Sequence, residues 1–272
     1  MQDTSKLISL ARELRANAIE LMCAHGIAGH VGGSLSCADI VTAIYFYKMR
    51  YNEIGFDEKS RDRFLLSKGH AAPAQYAALY MSGIISKASF DSFKRIGGML
   101  QGHPDHAKTP GVEANTGSLG QGLSIACGMA AAMKIDRDPH RVYVILGDGE
   151  IAEGQVWEGA LCAANNNLNN ITAILDMNLI GSTGVIADRY PTCENIADKW
   201  RAFGWNVYEI DGHNMDEICR ALDASEMGSR PTMIIAHTVK GKGLPFAENS
   251  TSYHNAALTK EEYREAMRLL NS

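Results

Sequence analysis

The chain has no apolar run of 18 residues and does not open with a basic region followed by an apolar one. Neither a membrane-spanning helix nor a secretory leader is therefore expected. A basic stripe is also missing: 26 Lys and Arg against 31 Asp and Glu leave a net charge of −5, which argues against a nucleic-acid partner. The six cysteines, Cys23, Cys37, Cys127, Cys162, Cys193 and Cys219, are scattered with no CxxC pair. They read as buried small apolar residues in a reducing, cytoplasmic compartment, not as disulfides or zinc ligands. There is no Gly-Lys-Ser/Thr loop and no Gly-x-Gly-x-x-Gly, so the common nucleotide-binding loops are excluded. No repeat, low-complexity tract or linker divides the 272 residues, a length that suits one large domain with a substantial core.

Within that chain, Leu7, Ile8, Leu10, Ala11, Leu14, Ala18, Ile19 and Met22 recur at helical spacing and predict an amphipathic helix over 5–24. Ser36 with Asp39 predicts a cap for a second helix running to about Lys48. Phe64-Leu65-Leu66 reads as a short buried strand, Pro73 suits the first turn of the helix after it, and Ser118 to Ile135 is a helix rich in glycine and alanine. Strands over 141–146, 171–176, 206–210 and 232–238 alternate with helices over 153–166, 194–203 and 215–226. Right-handed crossovers make this an α/β fold, a parallel sheet with helices on both faces. Thr259 with Glu262 forms a capping box for a last helix, about 259–270.

Most of the chemistry gathers at strand ends. The apolar run Val142 to Leu146 stops at Gly147-Asp148-Gly149, and about 30 residues on, one βαβ unit later, Leu175-Asp176-Met177-Asn178 ends the next strand. In open α/β sheets ligands gather beyond such carboxyl ends. The carboxylate of Asp148, the amide oxygen of Asn178 and the carbonyl of Ile180 are a candidate set for Mg²⁺, or for Ca²⁺ or Mn²⁺. Such an ion takes few protein oxygens and fills its remaining positions with phosphate and water. Gly147 and Gly149 let the backbone approach a phosphate without a Cβ in the way.

Further motifs follow in order: Gly29-His30-Val31-Gly32-Gly33-Ser34, Ser67-Lys68-Gly69-His70-Ala71-Ala72-Pro73, Gly102-His103-Pro104, Thr116-Gly117-Ser118-Leu119-Gly120-Gln121-Gly122-Leu123, and Val239-Lys240-Gly241-Lys242-Gly243 with His254 beyond it. Together with Gly-Asp-Gly and its distant Asn, they resemble the thiamine-diphosphate motifs of the transketolase family over nearly the whole chain. The resemblance implies a thiamine-diphosphate-binding domain spanning 1–272, and cofactor contacts from His70, Gly117, Ser118, Leu119, Gly149, Glu150, Asn178, Lys240 and His254. It also implies a catalytic set. His70 and His254 would approach the diphosphate and the reacting hydroxyls, His30 would assist proton transfer at the sugar, and His103 would bind the donor's first hydroxyl. Glu153 matches a family glutamate that points to the subunit interface. His237 is left open as a contact, with Lys240 the better source of positive charge. His25, His106, His140 and His213 read as structural, and His103 and His106 are not expected to form a metal pair because Pro104 breaks any helix that would align them.

A complete transketolase carries three α/β domains, and this length matches only the first. The resemblance therefore implies the N-terminal subunit of a split enzyme. The expected partner is a C-terminal subunit bearing the pyrimidine-binding domain and its glutamate, in a heterotetramer acting on sugar phosphates. The family holds the substrate phosphate largely in the other domains, so the ketose donor and aldose acceptor are not legible here. The alternatives are a subunit of a 2-oxo acid dehydrogenase, a deoxyxylulose-phosphate-synthase-like fragment and a non-catalytic subunit.

Overall fold

The computed structural model describes residues 3–23, 26–51, 61–182, 184–189 and 195–271. Five strands form one sheet: β1 (Arg63–Leu66), β2 (Val142–Gly147), β3 (Ile171–Met177), β4 (Asn206–Asp211) and β5 (Thr232–His237). Their spatial order is β1-β2-β3-β5-β4 and every pair is parallel. Strands buried on both faces need continuous apolar runs, and β2 and β3 supply them. Alternate residues feed two cores. Tyr143, Ile145, Ile174 and Ile234 face one layer with helices α1 (Ser5–Cys23), α3 (Ala38–Ala43), α4 (Ala72–Met81), α10 (Met215–Ala224) and α11 (Lys260–Leu270). Val144, Leu146, Leu175 and Ile235 face the other, with α6 (Gln121–Ile135), α7 (Gly154–Asn165) and α9 (Ile196–Ala202). The expected parallel sheet with helices on both faces is what the chain forms.

Local chemistry explains where elements stop short of the expected bounds. The helix foreseen from Ser36 to Lys48 divides into α2 (Val31–Ser36), α3 and a wider-wound turn at Ile44–Lys48. Ser36 is no cap: its hydroxyl donates to Gly33 O and to Asp176, and Cys37 takes the cap position. The helix foreseen from Ser118 begins at Gln121, because Gly117 (φ 138°) and Gly120 (φ 86°) hold a left-handed loop before it. Ahead of α7, Glu150–Ala152 form a single tight turn, and Glu153 is extended. Residue 194, expected to begin α9, and Cys193 lie outside the described residues. Cys23, Cys37, Cys127 and Cys219 are buried as expected, whereas Cys162 is exposed on the outer side of α7. Ile8, assigned to the apolar stripe of α1, also faces outward. Thr259 and Glu262 form the capping box, with the Thr259 amide donating to Glu262 at 2.8 Å and the Glu262 amide to Thr259 at 3.2 Å. Among the described residues no helix is long and apolar enough to cross a membrane.

Leu175 is fully buried in the central strand and Ile135 is 81% exposed at the end of α6. Leu175→Ala should cost about 2–5 kcal/mol, through lost transfer energy and the cavity left behind, whereas Ile135→Ala should stay within about 0.5 kcal/mol. Urea unfolding of both variants checks this, and equal losses would contradict the assignment of the core.

Candidate functional site

Beyond the carboxyl ends of β1, β2, β3 and β5 lies a cavity of about 250 Å³. The Gly147–Gly149 turn, Glu150 and Glu153 line it from β2; Asn178, Ile180, Gly181, Ser182, Gly184 and Ile186 line it from β3. Lys68 and His70 enter after β1, Lys240 and His254 after β5, and Gly33 and Leu119 from the two glycine loops. Of the residues expected here, His70, Leu119, Asp148, Gly149, Glu150, Glu153, Asn178, Ile180, Lys240 and His254 share this one cavity. His30, His103 and Gly117 stand beside it, Ser118 is exposed on its loop, and His237 faces away towards Glu209, 3.5 Å from it.

Backbone contacts bring the histidines together. Gly29 and Ala256 form a two-bond antiparallel bridge, 3.0 and 2.9 Å, that ties the His30 loop to the His254 segment. The His30 ring centroid consequently lies 5.4 Å from His254, 5.0 Å from His70 and 6.3 Å from His103. The Tyr76 hydroxyl on α4 donates to His103 O at 3.0 Å. Two glycines are needed for this closeness: a Cβ on Gly32 would meet the Lys240 stem at 2.8 Å, and one on Gly117 would meet the His103 ring at 2.7 Å. His213, His106 and His140 are held by contacts elsewhere in the fold. His213 Nε2 accepts from the Val239 amide at 2.8 Å, so its Nδ1–H donates to Asp39, which also pairs with Arg15. His106 Nδ1 pairs with Val112 O at 2.6 Å and His140 with Asp138. His25 lies outside the described residues.

Electrostatics divide the site into a matched and an unmatched half. Lys68 is buried against Asp176, which also accepts from Ser36 and Thr238; burial opposes the charge on Asp176, and Lys68 holds its carboxyl below the usual range all the same. Lys240 is buried too, but its ammonium donates to Ile180 O at 2.6 Å and to His254 Nδ1 at 2.8 Å, both uncharged acceptors. Burial and the nearby Lys68 pull it down to about 8. Because an ammonium can only donate, His254 carries its proton on Nε2. Burial brings His30 and His254 to about 4, helped by neighbouring cations, and lowers His103 as well. Asp148 accepts from the amides of Gly149, at 2.7 Å, and Leu179. The Asn178 amide oxygen accepts from Ile180 N at 3.1 Å, and its nitrogen donates to Asp176 at 3.3 Å. Glu150 lines the cavity yet its carboxylate turns inward, accepting from Ser67, from Gly120 N at 2.8 Å and from Gly147 N at 2.9 Å.

Among the described residues no group of three His, Cys, Asp or Glu could hold a metal ion. The oxygens of Asp148, Asn178 and Ile180 instead suit a hard cation that shares its shell with a ligand's phosphates. Sequence reasoning passed over Lys68 and Asp176, although both stood in quoted motifs, because what distinguishes them is each other, 108 residues apart in the chain. It also passed over the 181–186 segment, where Gly181 and Gly184 were the available signal.

The fold and cavity define a parallel-sheet domain whose ligand crevice lies across four strand ends. Residues 4–271 match the family model described as "Transketolase, thiamine diphosphate binding domain". The chain is 44% identical over 240 residues to the 6-deoxy-6-sulfo-D-fructose transketolase subunit SqwG of Clostridium sp. (strain MSTE9), covering 88% of this chain and 87% of that one. It is 40% identical over 242 residues to an apulose-4-phosphate transketolase subunit of Phocaeicola vulgatus, covering 89% and 85%. The solved transketolase of Leishmania mexicana superposes with a TM-score of 0.91 at 29% identity, over 97% of this chain and 41% of that one. The chain belongs to the transketolase family, in its thiamine-diphosphate-binding domain.

The lowered histidine pKa values carry a stability consequence for the cofactor-free chain. Between an unfolded value of about 6.5 and the folded values of about 4 for His30 and His254, the unfolded chain binds more protons. Their contribution is therefore complete above that window and is lost as pH falls through it. The urea midpoint should drop on acidification from pH 7 to 4, and His30→Asn with His254→Asn should flatten that drop. A midpoint unchanged across this range, or an equally steep drop in the double variant, would contradict the assignment.

Proposed function

We propose that this chain is the N-terminal subunit of a thiamine-diphosphate-dependent transketolase that moves a two-carbon ketol unit from a ketose phosphate to an aldose. The observation that carries the reading is the unmatched Lys240, buried with only neutral hydrogen-bond partners beside the oxygens of Asp148, Asn178 and Ile180. A buried cation next to a set of hard oxygen donors calls for a ligand that is itself anionic and binds metal, which a diphosphate is. Asp148, Asn178 and the Ile180 carbonyl hold the divalent cation, Mg²⁺ or in its place Ca²⁺ or Mn²⁺. Lys240, His70 and His254 face the diphosphate, the amides of the Gly147–Glu150 turn approach it, and Gly117, Ser118 and Leu119 lie along the ring portion.

The chemistry supplied by the bound cofactor is carbon nucleophilicity and an electron sink at the ketose carbonyl. The histidines of this chain do the rest. His30 and His254, held neutral by burial, can accept the hydroxyl proton whose removal opens the bond between C2 and C3, and an anionic diphosphate beside them raises their basicity towards neutral pH. His103 binds the donor's first hydroxyl. Two relatives whose names call them subunits match this chain over 87% and 85% of their own lengths, which supports a two-chain enzyme. The partner is a C-terminal subunit carrying the pyrimidine-binding domain and its glutamate. The exposed Glu153 at the start of α7 faces that partner across the interface, in a cytoplasmic heterotetramer.

Calorimetry of thiamine diphosphate with Mg²⁺, on the chain alone and mixed with the C-terminal subunit, tests the reading. Tight binding in the mixture together with ketol transfer is expected, and no binding in either sample would refute the cofactor assignment. Asp148→Ala should abolish Mg²⁺-dependent binding. His103→Ala should leave cofactor affinity within about threefold while turnover falls by about 10² to 10⁴; equal losses in both would make His103 structural.

A further inference from the structure

Asp176 lies two residues before Asn178 at the end of β3, fully buried. Its Oδ2 accepts from Lys68, from Ser36 Oγ at 2.6 Å and from Asn178 Nδ2 at 3.3 Å, while its Oδ1 accepts from Thr238 Oγ1. Lys68 donates in addition to Gly33 O at 2.8 Å, so the pair is satisfied from both sides. Both carboxylate oxygens already accept from an ammonium or a hydroxyl, so Asp176 meets the neighbouring amide as an acceptor and admits one face of it, the nitrogen. With Nδ2 turned to Asp176, the Asn178 oxygen meets the Ile180 amide at 3.1 Å on the cavity side. The flipped amide would set oxygen against carboxylate oxygen and N–H against N–H, losing both bonds.

We propose that Asp176 is a positioning residue that fixes the Asn178 amide with its oxygen towards the divalent cation, and that Lys68, Ser36 and Thr238 hold the Asp176 carboxylate in the orientation this requires. The inference rests on the reading that Asn178 is a ligand of that cation, and it adds the group that orients the ligand. Partners of this kind are worth about 10- to 100-fold in metal affinity. A bare strapping role, tying α2 and the segment after β1 to β3, would use the same contacts to Ser36 and Lys68 but would not depend on which atoms Asn178 presents.

Mn²⁺ binding in the presence of saturating thiamine diphosphate, followed by the paramagnetic resonance of free Mn²⁺, separates the two. It is measured on the full chain assembled with its C-terminal subunit. Asp176→Asn should weaken Mn²⁺ binding about 10- to 100-fold, because an amide at 176 can pair with either face of Asn178. In an Asn178→Asp background the side chain has two equivalent oxygens and no wrong face. There the same Asp176→Asn change should cost less than about threefold. Should Asp176→Asn alone lack a cooperative melt, Asp176→Asn with Lys68→Met replaces it in both backgrounds, since that variant leaves no lone buried charge. Equal losses in the two backgrounds, or no loss in the first, would overturn the positioning role. Failure of the unmodified protein to bind Mn²⁺ would instead overturn the metal site on which it rests.

Discussion

The buried pair of Lys68 and Asp176 is the interaction on which the rest of the site depends. Taking two charges out of water costs several kcal/mol per ion, and the cost is met only when every remaining lone pair and proton finds a partner. Here Asp176 accepts from Ser36, Asn178 and Thr238 besides Lys68, and Lys68 donates to Gly33 O as well. The pair and its partners draw on four functional segments: Gly33 and Ser36 follow His30, Lys68 precedes His70, Asp176 and Asn178 stand at the end of β3, and Thr238 precedes Lys240. Satisfying one carboxylate therefore sets the relative positions of the histidine loops. Ser67, the neighbour of Lys68, does the same for a second buried carboxylate. Glu150 gathers Ser67, Gly120 and Gly147, and the Gly122 amide closes on Ser67 Oγ at 3.1 Å. The Ser67-Lys68 dipeptide is where the two networks meet.

The sheet makes this economy possible. Parallel strands β1, β2, β3 and β5 all end at one edge, and the register pairs Gly147 with Asp176 and Met177 with His237. The residues that follow these ends therefore emerge side by side, although they are far apart in sequence. Glycine then sets how near they come. Gly69 lies so close to Thr116 and Gly117 that an added Cβ would sit 2.6 Å from the Thr116 carbonyl carbon, against backbone that cannot swing aside. The packing that shapes the cavity is thus backbone against backbone at several points.

Much of this was legible in the sequence. Asp148, Asn178, Lys240, His30, His70 and His103 stand out because each lies at a strand end or beside glycine, where side chains can reach a ligand, and His254 because of the closing segment that the resemblance marks. The sheet followed from apolar runs separated by helical periodicity. What periodicity could not show was a partner 108 residues away: Lys68 and Asp176 are ordinary residues until the fold joins them. The same blindness misplaced the helix start at Ser36, whereas the start expected at Ser118 moved to Gln121 for the local reason that Gly117 and Gly120 are left-handed. Ser36 has the side chain of a helix cap, but a buried carboxylate on another element is a stronger attraction for its hydroxyl than a local amide. Glu150 entered as a cofactor contact through the resemblance, and only the three-dimensional contacts show its carboxylate turned towards Gly120 and Gly147.

The contrast between the two buried lysines explains why the cavity takes the ligand it does. Lys68 is neutralised within the chain, so its end of the site is rigid and complete. Lys240 meets only a carbonyl and an imidazole; burial lowers its pKa and those of His254 and His30, and its charge adds to the lowering of the two histidines. An anion placed there removes a desolvation cost that the fold alone leaves standing, and it reverses the sign of the field acting on the histidines. On the proposed function, an anion matching Lys240 would also ease the cationic part of the histidines' lowered basicity, burial being the larger part.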